Sequence, residues 1–179
     1  MDRALHNIHF RPIEPADRTR LQRFHRRLSV PTVTQRFHGA KLELTEPLAR
    51  RFTELDGHEA AAIVATTGTR GRIVGVARYA RLDPRRAEVA FVVEDAYQGR
   101  GIGRKLLERL IALARAEGIE ELVAYVLPGN ERMLRLLRGA GPTSVRYEGS
   151  AYLVTLGLQP EASDGPSPTI GGASPTASP

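Results

Sequence analysis

Cysteine and tryptophan are both absent from this chain of 179 residues. Without cysteine the chain can form no disulfide, and it has no thiol to act as a nucleophile or to carry a covalent intermediate. Long apolar runs are missing as well. No stretch approaches the ~20 residues of a membrane span, and Met1 is followed by Asp2 and Arg3 rather than by an apolar leader. These absences predict a cytoplasmic protein that does not contact a membrane.

Lysine is scarce, although the chain is basic. Of the 26 basic residues only Lys41 and Lys105 are lysine, and the formal net charge is +6. The arginines form no stripe interleaved with aromatic residues, so no nucleic-acid partner is expected. A basic surface suits a polyanionic small molecule or an acidic protein equally well. The five histidines are scattered without carboxylates at ligand spacing, so no metal site is expected.

The hydrophobic pattern predicts one mixed domain over residues 1–158. A chain of this length suits a single domain with a proper core rather than two. Apolar runs typical of strands alternate with segments of helical spacing, and hairpin turns are indicated near Asp83-Pro84 and Gly149. The predicted strands cover 8–13, 60–66, 72–81, 87–94, 122–127, 143–148 and 151–156, and the predicted helices cover 16–28, 48–55, 101–117 and 130–138. This order indicates an α+β (mixed α/β) fold with antiparallel hairpins at both ends.

The composition changes at Gln159. From there to Pro179 the residues are mainly Pro, Ser, Gly, Ala and Thr, and almost none of them could enter a core. We expect residues 159–179 to be a disordered tail.

A glycine-rich turn is the most informative segment of the chain. Residues 98–103 read Gln-Gly-Arg-Gly-Ile-Gly, between the apolar run 89–93 and a helical pattern that starts at Ile102. Glycines permit a tight turn that brings bare amides close to a ligand, and the positive end of the helix dipole favours negative charge there. This arrangement predicts a diphosphate site built from main-chain groups.

The spacing of this turn excludes the two commonest diphosphate loops. A P-loop has Lys followed by Ser or Thr after its last glycine, whereas Arg104 and Lys105 follow Gly103 here. The dinucleotide-binding fingerprint has two residues between its second and third glycines, whereas only Ile102 separates Gly101 from Gly103.

The string Gln-x-x-Gly-x-Gly after a strand resembles the acyl-coenzyme-A loop of the GNAT acetyltransferases. Three further segments resemble family elements in the same order: the first strand at 11–13, the strand beside the pantetheine arm at 87–93, and a second coenzyme-contacting element at 130–133. The resemblance covers roughly residues 8–157. It implies the GNAT fold, a central, mostly antiparallel sheet of about six to seven strands flanked by helices. It also implies acetyl-CoA as acyl donor and a primary amine as acceptor, and with no cysteine the acetyl group would pass directly between them.

The resemblance also implies which residues hold acetyl-CoA. Main-chain groups in the strand would bind the pantetheine arm and the thioester carbonyl, and the turn would wrap the diphosphate. The strand residues are Phe91, Val92 and Val93, and the turn residues are Gly99, Arg100, Gly101, Ile102, Gly103 and Arg104. Gln98 is expected to brace the turn. Asn130 would hydrogen-bond the cofactor arm, cap the helix that follows it, or do both.

Glu88 is the candidate general base. A lysine amine titrates near ~10.4 and is mostly protonated at neutral pH, so a group that removes its proton is useful. Glu88 shares a strand face with Ala90 and Val92, where partial burial would raise the pKa of the carboxylate. Lysine-acetylating members of the family resembled here use a glutamate in this strand as the base. The alternative is a structural glutamate paired with Arg78 or Arg81 on the neighbouring strand.

Two other carboxylates and one missing side chain complete the predicted site. Glu94 and Asp95 are rivals of Glu88, but they adjoin the glycine turn and are expected at its solvated rim. Many family members carry a tyrosine on the last helix that protonates the departing thiolate, and the corresponding stretch here is 136–138, Leu-Leu-Arg. Water could take that role, or else Tyr125, Tyr147 or Tyr152 from a strand.

The acceptor is indicated by the N-terminal third. Segments 20–29, 35–38 and 50–61 resemble the helices that form the substrate wall in bacterial protein-lysine acetyltransferases that modify acyl-CoA synthetases. A protein lysine is therefore the predicted acceptor. A small-molecule amine is the main alternative, and a non-catalytic coenzyme-A-binding module is the third. The oligomeric state stays open.

Overall fold

The computed structural model describes residues 7–37, 43–68 and 71–158 of the chain. Seven strands form one sheet: β1 Ile8–Pro12, β2 Ala60–Thr67, β3 Arg72–Asp83, β4 Arg86–Val93, β5 Glu121–Val126, β6 Thr143–Tyr147 and β7 Tyr152–Gly157. Five helices accompany it: α1 Arg18–Arg27, α2 Val30–Phe37, α3 Glu46–Thr53, α4 Ile102–Ala116 and α5 Glu131–Arg138. None of the described helices is long and apolar enough to cross a membrane. The predicted tail, 159–179, lies outside the described residues.

The strand order in the sheet is β1-β2-β3-β4-β5-β7-β6. Every neighbouring pair is antiparallel except β4 and β5, which run parallel. Helix α4 makes the crossover between those two strands, as a parallel connection requires. The prediction of a mostly antiparallel sheet of six to seven strands flanked by helices is confirmed.

Each face of the sheet carries its own hydrophobic core. Helices α4 and α5 cover one face, where Phe91 of β4 and Leu106 of α4 belong to the larger buried cluster. Helices α1 to α3 cover the other face, where Phe24 of α1 and Val33 of α2 pack with strand residues in a smaller cluster. Because strand side chains alternate between faces, β4 contributes to both cores while its main chain stays between them.

Gly75 of β3 lets α4 approach the sheet closely. A Cβ at this position would lie 3.1 Å from Leu106 Cδ1 and 3.3 Å from Ile102 Cγ2, both on α4. The first turn of α4 is therefore packed tightly against β3, which fixes where the helix N-terminus points.

Helix α2 was not predicted as a separate helix. Its sequence, Val-Pro-Thr-Val-Thr-Gln-Arg-Phe, is rich in β-branched residues, which have low helix propensity. Tertiary contacts stabilise it instead. Val33 is fully buried, and the residue before the helix, Ser29, donates hydrogen bonds from its amide and its hydroxyl to Asp95. The other predicted helices and strands are present, with ends that differ by a few residues.

Candidate active site

Strands β4 and β5 separate along their length and open a cleft between them. Their parallel pairing runs from Arg86–Glu121 to Glu88–Val123 and ends there. The amide of Glu94 donates to Val74 O on β3 at 2.8 Å, so alternate amides of β4 point toward β3 and the others toward the cleft. By this alternation the amides of Phe91 and Val93 face the cleft.

Val92 differs from its two neighbours. The same alternation directs its amide toward β3, where its carbonyl oxygen also lies, 3.5 Å from a Cβ placed on Gly75. This alternation favours the main-chain groups of Phe91 and Val93 over those of Val92 for a ligand in the cleft, and the role of Val92 stays a prediction. Its side chain packs against the core beneath α1 to α3 and lines the edge of the cleft.

The glycine turn and the N-terminus of α4 place bare amides at the end of this cleft. Gly99 and Gly101 have φ of +75° and +80°, a region that side chains other than glycine rarely adopt. Gly101 is the N-cap of α4 and provides no side-chain oxygen as a cap. The first main-chain hydrogen bond at the N-terminus of α4 runs from the amide of Lys105 to Gly101 O. The amides of residues 102–104 therefore remain available to a ligand.

A cavity of about 400 Å³ joins the cleft, the turn and α5. Its lining contains ten of the predicted cofactor residues: Phe91, Val92, Val93, Gln98, Gly99, Gly101, Ile102, Gly103, Arg104 and Asn130. Three arginines, Arg104, Arg132 and Arg135, add positive charge to the wall. The side chain of Ile102 is itself buried in the core, so this residue can offer a ligand only its main chain. The cavity thus combines bare amides, positive charge and apolar walls.

Arg100 is placed differently from the other predicted residues. Its side chain is exposed, and its guanidinium lies 5.3 Å from the centre of the Tyr97 ring. Arg100 is not among the residues that line the cavity, although Tyr97, over which it lies, is one of them.

Gln98 connects the turn to three other parts of the fold. Its Nε2 donates to Val93 O at 3.0 Å and to Thr32 Oγ1 at 3.3 Å, and its Oε1 accepts from Arg132 Nη1 at 2.7 Å. The side chain thus holds the end of β4, helix α2 and helix α5 around the turn, which is the bracing geometry that was expected.

Asn130 caps α5 and also lies on the cavity wall. Its Oδ1 accepts a hydrogen bond from the amide of Met133 at 3.2 Å. The cap occupies the oxygen and leaves the side-chain NH₂ group for a ligand, so the two roles are compatible.

The cavity wall includes residues that were not predicted. Thr32 and Gln35 come from α2, Tyr97 from the turn, and Arg135 and Leu136 from α5. Arg135 and Leu136 lie three positions after Arg132 and Met133, which belong to the predicted element 130–133 and also line the cavity, so helical periodicity could have indicated them. Thr32 and Gln35 gave no signal, because their position depends on the docking of α2 near the turn.

Glu94 is buried, which corrects the expectation that it lies at a solvated rim. Its carboxylate accepts from Arg27 Nε at 3.1 Å and from Arg72 Nη2, so its charge is compensated on both oxygens. Asp95 is exposed as expected, but it accepts from Ser29 and from Thr32 Oγ1. Burial opposes the shift, yet these hydrogen bonds from Ser29 and Thr32 lower the pKa of Asp95. Both carboxylates are engaged in structure, which leaves Glu88 as the strand carboxylate available for chemistry.

Glu88 lies at the point where β4 and β5 separate. Its side chain is exposed, so the expected partial burial is wrong. Within the described part of the chain, its carboxylate makes no hydrogen bond or ion pair. The predicted alternative, pairing with Arg81, does not occur either, because Arg81 donates to main-chain oxygens of Pro84 and Glu117.

The strand tyrosines divide between the two faces of the sheet. Tyr125 lies two residues beyond Val123, the partner of Glu88, and therefore on the face of Glu88. Tyr152 packs against the core beneath α4 and α5, with the ring of Tyr147 at 5.3 Å from its own. Of the three candidates, Tyr125 alone shares a face with Glu88. Among residues 7–37, 43–68 and 71–158, no group of three acidic or histidine side chains could hold a metal ion.

A seven-stranded, mostly antiparallel sheet with a cleft between two parallel strands and a glycine turn at its end defines an acyl-coenzyme-A-dependent transferase class. The model of the acetyltransferase (GNAT) family matches residues 21–141, and the chain belongs to that family.

Named proteins resemble the chain over most of its length. Acetyltransferase Pat of Mycolicibacterium smegmatis is 31% identical over 155 residues, which cover 86% of this chain and 46% of that protein. The chain thus spans about half the length of this relative. The crystal structure of the GNAT domain of S. lividans PAT has 32% identity and a TM-score of 0.78, over 84% of this chain and 90% of that one. The putative acetyltransferase yncA of Salmonella typhimurium, solved with acetyl-CoA, shares the fold with a TM-score of 0.68 and 21% identity, over 90% of this chain and 99% of that one.

Proposed function

We propose that this protein transfers the acetyl group of acetyl-CoA directly to a primary amine, and that the amine is the side chain of a protein lysine. The observation that carries the proposal is the cavity in which bare amides of the glycine turn, the cleft edge of β4 and Asn130 converge. Acetyl-CoA supplies the activated acetyl group, and the remaining chemistry falls to residues of the chain.

The cavity fits the parts of acetyl-CoA by their chemistry. The amides of residues 102–104 and the glycines before them suit the diphosphate, since a helix N-terminus favours negative charge. Arg104, Arg132 and Arg135 add compensating charge at the wall. The polar edge of β4 suits the amide-rich pantetheine arm, and the side-chain NH₂ of Asn130 is placed to donate to it.

The amides of Phe91 and Val93 serve the reacting carbonyl. Both face the cleft, and a main-chain amide held by a sheet needs no reorganisation when negative charge gathers on the oxygen. Glu88 stands at the closed end of the same cleft and receives the proton of the amine, directly or through water. Its exposure gives that proton a short route to solvent.

The departing thiolate requires little assistance. A thiol with a pKa in the usual range, about 8–9, leaves tolerably without an acid, so the absence of a tyrosine from α5 is compatible with turnover. Tyr125 can supply a proton from the face of Glu88, and water is the alternative.

A protein lysine is favoured as acceptor by two observations. One is the similarity to the GNAT domain of S. lividans PAT, at 32% identity and a TM-score of 0.78. The other is that α1 and α3 cover the face of the sheet on which Glu88 lies, where they would border an acceptor. The acyl-CoA synthetases are the protein class to test first, because the N-terminal segments resemble acetyltransferases that modify them.

The test measures thiol release from acetyl-CoA with a panel of acceptors. Transfer to a lysine of an acyl-CoA synthetase, mapped by mass spectrometry, with no transfer to polyamines or small drugs would support the proposal. The reverse pattern would replace it with a small-amine acetyltransferase. Calorimetric binding of coenzyme A without transfer to any acceptor would indicate a binding module, and no binding at all would remove the acetyl-CoA assignment.

A further inference from the structure

Arg78 of β3 is a partly buried cation beside the cleft. It pairs with Ala90 of β4, so its side chain lies on the face of Glu88, beneath α1 to α3. There it lines a small cavity of about 40 Å³ whose other walls are almost entirely apolar, among them Phe52 and Val92. The guanidinium lies over the Phe52 ring at 4.5 Å from its centre. Stacking on Phe52 fixes the orientation of the group.

Among the described residues, the guanidinium of Arg78 has no hydrogen-bond acceptor. Across residues 7–37, 43–68 and 71–158, no carboxylate or carbonyl oxygen accepts a hydrogen bond from Arg78. Burial, then the charge of Arg51 on α3, lower the pKa of Arg78, and the charge of Glu88 acts in the opposite direction. The nitrogens of Arg78 are not sealed from solvent, so they are accessible to an anion that approaches along the cleft.

Arg51 strengthens the positive charge of this region. It is exposed, and within the described segments it too has no acidic partner. By contrast, Arg50 on the same helix and Arg18 on α1 both contact Glu54. Arg78 and Arg51 therefore place two positive charges without a described acidic partner near the Glu88 face of β4.

Glu88 does not neutralise them. Glu88 pairs with Ala80 and Arg78 with Ala90, so the two side chains are diagonal neighbours, whose Cβ atoms in such an arrangement lie roughly 7–8 Å apart. Their side chains make no hydrogen bond to each other. The spacing leaves room for an acceptor whose amine approaches Glu88 while a second group contacts Arg78.

We propose that Arg78, with Arg51, binds a carboxylate of the acceptor close to the amine that is acetylated. The inference rests on the proposed function and specifies its substrate class: a lysine with an aspartate or glutamate within one or two positions of it. Consecutive Cα atoms are 3.8 Å apart, so residues one or two positions apart in an extended acceptor are separated by roughly 4–7 Å, which is comparable to the spacing of Glu88 and Arg78 on the sheet. The guanidinium of an arginine can donate two parallel hydrogen bonds to a carboxylate, and the cavity wall restricts the orientation of this guanidinium.

The test compares acceptors that differ by one charge. Two peptides carry the same lysine preceded by Asp or by Asn, and a small-molecule arm compares lysine with cadaverine, which lacks the carboxylate. kcat/KM for thiol release is measured for wild type, Arg78→Gln and Arg78→Lys. Arg109→Gln is the control, because it removes an arginine from α4 on the opposite side of the sheet. Circular dichroism and thermal unfolding report whether each variant folds. If Arg78→Gln does not fold, Arg78→Met replaces it, because methionine keeps an apolar side chain against Phe52.

We expect wild type to prefer the carboxylate-bearing acceptor by about tenfold or more, mainly through KM. The preference should fall to about one in Arg78→Gln, recover in part in Arg78→Lys, and stay unchanged in Arg109→Gln. A preference confined to lysine over cadaverine would assign the carboxylate to a free amino acid rather than to a protein. Equal rates for the Asp and Asn peptides and for lysine and cadaverine in wild type, or a preference that survives in Arg78→Gln, would overturn the inference while leaving acetyl transfer intact. Absence of transfer to every acceptor would instead overturn the proposed function and the inference with it.

Discussion

Arg27, the last residue of α1, donates a hydrogen bond from Nε to Oε2 of Glu94, the residue that follows β4, at 3.1 Å. The same guanidinium donates from Nη2 to Ile73 O on β3 at 2.7 Å. These bonds tie helix α1, on one face of the sheet, to β3 and to the end of β4 beside the cleft. Because Glu94 is buried and Asp95 holds the start of α2, the end of β4 is fixed between α1 and α2.

Glu94→Gln should destabilise the protein and weaken coenzyme A binding. The change leaves Arg27 and Arg72 without a charged partner at a buried position, and we expect a loss of about 1–2 kcal/mol in the free energy of unfolding, since both arginines retain contact with water. Denaturant unfolding and calorimetric titration with coenzyme A measure the two effects. Glu120→Gln is the control, because its exposed pair with Arg85 should contribute little. Equal stability of the two variants would show that Glu94 does not hold the end of β4.

Glu88→Gln should retain coenzyme A affinity and lose at least about tenfold in kcat at neutral pH. A positioned base typically contributes ~10²–10⁴ in rate, and the exposed setting of Glu88 favours the lower part of that range. Steady-state kinetics from pH 6 to 9, beside a coenzyme A titration, give the measurement. If the variant matches wild type across that range, Glu88 is not the base.

Gly99→Ala should weaken coenzyme A binding beyond its cost to stability. The φ of Gly99 is +75° and that of Gly149, in the turn between β6 and β7, is +73°, and an added Cβ meets no atom within 4 Å at either site. Both substitutions therefore carry a similar backbone cost, of about 1–2 kcal/mol. Only the first should raise the dissociation constant of coenzyme A, because only the first moves the diphosphate amides. Similar dissociation constants for the two variants would place the diphosphate elsewhere.

Asp17→Asn should lower stability at neutral pH and have little effect in acid. Asp17 is fully buried, and it accepts from Arg11 at 2.6 and 2.7 Å and from the amide of Glu14. Burial opposes the shift, but the hydrogen bonds from Arg11 and Glu14 lower the pKa of Asp17 below its usual value. A carboxyl with a lowered pKa in the folded state stabilises the protein above its unfolded pKa, about 3.9, and this contribution disappears as the pH falls through the folded value.

The measurement is the free energy of unfolding of wild type and Asp17→Asn between pH 2 and 7. We expect a difference of about 2 kcal/mol near pH 7 that shrinks below about pH 4. A difference that is constant with pH would mean that packing, rather than the charge of Asp17, is what the substitution removes.

Local sequence patterns predicted most elements of the fold, and they failed where an element depends on contacts with distant residues. The stripe on α4 and the apolar runs of β2 to β5 are periodic enough to be read from the chain, because each buries one face against a core. Helix α2 was missed because its own residues do not favour a helix; Asp95, more than 60 positions away, holds its start.

The candidate site divides in the same way. Positive φ at Gly99 and Gly101 follows from residue type, so the turn could be predicted from the sequence. The burial of Glu94 and the exposure of Glu88 could not, since each depends on which elements cover the strand end. The cavity wall contributed by Thr32 and Gln35 likewise exists only after α2 docks.

The sequence by itself determined the order of strands and helices, the glycine turn and the family to which the chain belongs, because these depend on side-chain periodicity and on backbone freedom at single residues. Only the tertiary structure decided which carboxylates pair with arginines, as Glu94 does, and which arginines, Arg78 among them, have no carboxylate partner in the described part of the chain. Ion pairs form between side chains that folding brings together from distant strands and helices. The sequence alone therefore could not reveal which charged side chains lack a partner.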